Sequence, residues 1–135
     1  MSPVIDDQTA QYILVVQKHF EDLKQVAAQL AGYLVLEAAG SKEAVPDHPM
    51  LGSARQLYQT AADGVQSVRA TPRAQAHHQH LLAAVEKLGM ALHASDPLPP
   101  LRAAWTELRA ASHSLPGFET VSFEQCCCHS GKRAA

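Results

Sequence analysis

Apolar residues recur at alternating steps of three and four through most of this chain. In the first segment Ile13, Val16, Phe20, Leu23, Ala27, Leu30 and Leu34 keep that rhythm without a break. The spacing places them on one face of an α-helix, as the a and d positions of a heptad seam. A parallel row, Tyr12, His19, Val26 and Tyr33, lies seven apart at the g position and widens the buried face to that of a globular bundle. Gly40 supplies the stop, since glycine accepts the left-handed conformation that closes many helices.

The same pattern is written three more times. Leu51, Ala54, Tyr58, Ala61, Val65 and Val68 form a second seam behind Asp47 and Pro49, a capping residue and a proline suited to a first turn. Ala74, His78, Leu81, Val85, Leu88 and Leu92 form a third, with Thr71 as the expected N-cap and Pro72 at the first helical position. Leu98, Leu101, Trp105, Leu108, Ser112 and Leu115 form the fourth after the Ser95–Asp96–Pro97 break. Pro99 and Pro100 fit only in the first turn of that helix or before it, and the seam makes Trp105 a central packing residue. Four amphipathic helices joined by short connections pack as antiparallel neighbours. The pattern therefore predicts an all-α, antiparallel up-and-down four-helix bundle over residues 1–115. The period is lost in residues 116–135, a non-helical C-terminal tail in which Phe118, Val121 and Phe123 alternate loosely.

Composition agrees with one globular domain. The chain has 135 residues, 47% of them hydrophobic, and a net charge of -2. A domain of that length buries about two-thirds of the surface of its unfolded chain. Residues 1–48 hold seven acids against Lys18, Lys24 and Lys42, and the remainder holds eight basic residues against six acids. An imbalance of that size offers no surface for nucleic acid or an anionic membrane. The N-terminus carries Asp6 and Asp7 and no basic stretch, unlike a secretory signal, and no apolar run reaches membrane-spanning length. A cytoplasmic location is the expectation, and there thiols stay reduced.

Chemistry concentrates in the histidines and in the tail sequence EQCCCHSG, which holds all three cysteines. Up-and-down topology gathers His19, His77, His78, His80, His113 and the tail at one end, with His48 and His93 at the other. In this register His78 occupies a core position, while His77 and His80 point towards solvent. An extended segment sets residues two apart on one face, so Cys126 and Cys128 could clamp one ion with His129 adding a nitrogen. His78 and His113 are the nearest helpers, and the soft sulfurs favour zinc or cuprous copper as the cofactor. Cysteine thiolates beside His129, Lys132 and Arg133 would also react readily with oxidants. No Glu-x-x-His pair, His-Glu-x-x-His, phosphate-binding glycine loop or Gly-x-Ser-x-Gly elbow is present, which removes the usual bundle and hydrolase sites. A haem-attachment Cys-x-x-Cys-His would need a cysteine where Gln125 stands.

The outward positions of the first segment carry a different signal. They read Leu14 and Val15, Glu21 and Asp22, Ala28 and Gln29, then Val35 and Leu36, apolar at both ends and polar between. Two copies laid antiparallel across a two-fold axis would set Leu14 and Val15 of one against Val35 and Leu36 of the other, as a homodimer needs. Alternatively, the segment after Gly40 and residues 118–123 cover these patches within one chain. With no nucleophile–base pair or paired carboxylates, the sequence points to a non-catalytic bundle that self-associates or binds a partner. The alternative is a metal-binding or thiol-redox sensor at the histidine and cysteine end.

Overall fold

A computed structural model of the chain describes residues 7–40 and 49–115. Four helices run in chain order: α1 Asp7–Ala38, α2 Pro49–Ser67, α3 Gln75–His93 and α4 Leu98–Ser112. A single 3₁₀ turn, Pro72–Ala74, leads into α3. No strand occurs among the described residues, and the all-α four-helix bundle is the observed architecture. Packing is closest within the α1/α2 and α3/α4 hairpins, and sparser between them.

Local chemistry sets the boundaries. Gly40 has φ 72, and its N–H donates to the Glu37 carbonyl at 3.0 Å while Ala39 N–H reaches Val35. A residue with a Cβ would be strained in that left-handed cap. Pro99 and Pro100 lie in the first turn of α4, where a missing N–H costs nothing. Thr71 has the extended backbone of an N-cap but makes no capping bond with its side chain. Its Oγ1 lies 2.7 Å from that of Thr9 in α1. Thr9 is fully buried, and its hydroxyl needs a partner inside the protein more than the solvent-facing helix terminus does.

The core is a single cluster with contributions from all four helices. In α1 the buried face is centred between the two rows read from the sequence. Tyr12, Val26 and Tyr33 are buried, whereas Ile13 and Leu34 are only half-buried. The face has turned towards α2, against whose backbone His19 lies: a Cβ at Gly64 would overlap the His19 ring. Similarly, the Tyr58 hydroxyl donates to the Val85 carbonyl at 2.9 Å and fills the space beside Gly89.

The seams of α3 and α4 depart further from the expected register. Their centres are His77, Leu81, Ala84, Leu88 and Ala91 in α3, and Leu101, Ala104, Leu108 and Ala111 in α4, all at most 3% exposed. Alanines at these positions let two helices approach closely, and α3/α4 is the most tightly packed pair. Trp105, expected at the centre, is only half-buried and packs on the edge of the core. Its indole is too large for the close-packed seam, and Ala104 takes the inward position. Leu98 is likewise 43% exposed, outside the seam that it was expected to begin.

Leu108→Ala is therefore expected to destabilise the bundle by about 3 kcal/mol, the cost of a fully buried leucine. Trp105→Ala should cost less, although the side chain is larger. Denaturant unfolding of the two variants gives the order, and a larger loss at Trp105 would contradict the observed seam.

Candidate functional site

The described histidines mostly gather where α1 begins, α2 ends, α3 begins and α4 ends. Three of them lie in the first two turns of α3, and each is bonded to a different helix. His77 Nδ1 is 2.8 Å from the Tyr12 hydroxyl of α1, the rings meeting edge to face at 5.5 Å. His78 Nε2 is 2.9 Å from the Val65 carbonyl of α2. His80 Nδ1 is 2.8 Å from a Glu107 carboxylate oxygen of α4.

This arrangement corrects the sequence expectation at two positions. His77, expected at the surface, is completely buried, and His78, expected in the core, is half-buried. Successive helical residues lie about 100° apart, so turning the face by one position exchanges the neighbours. The row His77, Leu81, Ala84, Leu88, Ala91 has the same four-three rhythm as the expected seam. Its alanines carry a weak hydrophobic signal. Tyr12 was visible as a member of the g row, whereas Glu107 carried no sequence signal as a histidine partner.

Burial dominates the electrostatics. It lowers the His77 pKa from 6.5 to about 4, with smaller repulsive contributions from His78 and His80. Burial also raises the Tyr12 hydroxyl well above its usual range. Both groups are neutral at pH 7. Enclosed in the core, the pair is placed to hold helices rather than to meet a substrate.

The metal expectation divides between described and undescribed residues. Among the described residues no group of three His, Cys, Asp or Glu side chains could hold an ion. His78 and His113 belong to the same end of the bundle, His113 being exposed just beyond α4. Cys126, Cys128 and His129 lie outside the described residues. His78 nevertheless has the bond by which proteins orient an imidazole ligand, one ring nitrogen on a backbone carbonyl, leaving Nδ1 for an ion.

On the outer face of α1, Leu14, Val15 and Val35 are 77%, 54% and 67% exposed, and Leu36 is half-buried. Midway along that face, Glu21, Asp22, Gln25 and Ala28 border an open groove of about 350 Å³ whose far side is Trp105 of α4. Among the described residues no helix is long and apolar enough to cross a membrane. No family model matches the chain, and no curated protein or solved structure matches it.

The buried imidazole gives stability a defined pH dependence. An unfolded histidine takes up a proton near 6.5, whereas folded His77 resists until about 4. Between those values the unfolded state binds more protons, so stability is complete above about pH 6.5 and falls as pH drops towards 4. The loss attributable to His77 is about 2 kcal/mol between pH 7 and pH 4.5, and about 3 kcal/mol at its acid limit. Urea unfolding near pH 7 and near pH 4.5 measures it, and His77→Gln should remove most of the difference.

Proposed function

We propose that this protein is a non-catalytic interaction module whose docking surface is the outward face of α1. The observation that carries this reading is the exposure of Leu14, Val15 and Val35 on one stripe of one helix. Only Met90 and Leu98, on other helices, are comparably exposed large apolar residues among those described. Single exposed leucines are ordinary, but an aligned set on one helix has the character of a binding face. The near balance of charge, -2 overall, favours a protein partner over nucleic acid, and a homodimer is the simplest such assembly. Three closely spaced thiols fit a reducing cytoplasm.

If the face serves docking, Leu14→Glu with Val35→Glu should leave helical content unchanged and stability within about 0.5 kcal/mol, as for other exposed substitutions. A photo-reactive residue at position 35 should give a discrete adduct in the cells that make the protein, and one at exposed position 102 should not. A loss above about 1 kcal/mol at a protein dilution where no partner is bound would mean that the chain itself covers the face.

A second reading is favoured by the carbonyl-anchored ring of His78. In it, Cys126, Cys128 and His129 join His78 and His113 around zinc or cuprous copper. Reduced protein should then take up about one zinc ion per chain, less tightly as pH falls, because thiols and imidazoles must lose protons to ligate. Cys126→Ser with Cys128→Ser should abolish the tight site without changing helical content. Equal zinc affinity in that variant would remove the reading.

A further inference from the structure

We infer that the partner of the α1 face is a second copy of this chain, antiparallel to the first across a two-fold axis at Gln25; this rests on reading that face as a docking surface. The stripe is self-complementary only in that sense. With Gln25 opposite its own copy, Leu14 falls opposite Leu36 and Val15 opposite Val35, each pair occurring twice. Glu21 and Asp22 fall opposite Gln29 and Ala28, and Lys18 opposite Gly32. A parallel arrangement would also join apolar ends, but would set Asp22 and Glu21 against their own copies, and facing like charges are repulsive. The acids are already partnered in the chain, Asp22 by Lys18 at 2.9 Å and Glu21 by Lys24 at 3.3 Å. They can lie beside the neutral Ala28 and Gln29 without a new counter-charge.

The centre of the stripe has room for a helix. Gln25 and Ala28 are exposed and Gly32 has no side chain, and the groove bordered by Trp105 lies at the level of the proposed axis. The two-fold thus brings both copies of Trp105 beside the interface, and tryptophan is a residue in which interfaces are enriched.

The length of the stripe selects between a second copy and the chain's own tail. Leu14 and Val35 are about 31 Å apart along the helix. The apolar part of the tail, Phe118 to Phe123, spans at most about 17 Å when extended. Alone it could cover one end of the stripe but not both, so self-coverage would need residues 41–48 as well, whereas a second α1 covers both ends together. A face about 33 Å long and one helix wide, about 10 Å, is smaller than the roughly 800 Å² per partner of standard interfaces. An interface below the standard size is of the weak or transient kind.

Sedimentation velocity of the reduced protein from about 1 to 100 µM tests the inference. The expected result is a concentration-dependent passage to twice the 14.5 kDa chain mass, with Trp105 emission shifting to longer wavelength on dilution. In a chain whose three native cysteines are replaced by serine, Gln25→Cys should cross-link to its own copy under mild oxidation and Leu14→Cys alone should not. Cross-linking of Leu14→Cys instead of Gln25→Cys would overturn the antiparallel arrangement. A dimer that persists with Leu14→Glu and Val35→Glu would use another face, and would overturn this inference and the docking surface together. A wild type monomeric at 100 µM would overturn the inference. The docking reading would survive if position 35 still formed a discrete adduct with another protein. A monomer that dimerises only after Phe118→Ser with Phe123→Ser would identify the tail as the occupant and overturn the inference as well.

Discussion

The hydrogen bond between Tyr12 and His77 joins the first helix to the third where neither group is open to water. The bond gives the Tyr12 hydroxyl and His77 Nδ1 a partner, and removing either group would leave the other buried atom without it at a cost of about 1–3 kcal/mol. The bond belongs to a wider division of labour. Within the two hairpins, helices are held by close apolar packing, most clearly along the alanine-bearing seam of α3 and α4. Between the hairpins packing is sparser, and directional polar bonds recur: Thr9 to Thr71, Tyr12 to His77, Tyr58 to Val85 and His78 to Val65. Apolar contact tolerates sliding and rotation. A hydrogen bond with one geometry does not, so these ties fix how one hairpin sits on the other.

The same division concentrates ionisable groups at one end. Three histidines in the first turns of α3 reach three different helices, and burial, with a smaller contribution from His78 and His80, disfavours charge on His77. Neutrality of His77 is thus a condition of the fold, which couples the histidine end to proton concentration whatever else binds there. That end is also where the described chain stops, at buried Leu115. The proposed metal chemistry would depend on a tail that leaves an already ordered set of imidazoles.

Unequal helix length has its own consequence. With 32 residues, α1 is about twice as long as α4, which has 15. One side of the long helix lies against its neighbours, and among the described residues no fifth helix meets its outer side. Leu14, Val15 and Val35 occur on that outer side, where burial within the four-helix layer is geometrically impossible. Their exposure is the reason to look for a partner beyond the bundle.

Periodicity and breaks in the sequence were sufficient for the number, order and approximate limits of the helices. Gly40, Pro72 and the Pro99–Pro100 pair act through backbone geometry, which is local and can be read residue by residue. The outward stripe of α1 was equally legible, because an apolar residue on a polar face is conspicuous in any register. Rotation of each helix about its axis was decided only in the tertiary structure. His77 and His78 are adjacent, as are Ala104 and Trp105, and either member of each pair continues a four-three rhythm. Choosing between them depends on how closely the facing helix approaches, and that distance is set by alanines whose small side chains leave almost no mark on the hydrophobic pattern. The partners of the histidines follow from the same rotation, since Tyr12, Val65 and Glu107 come within reach only when α1, α2 and α4 have taken their places around α3.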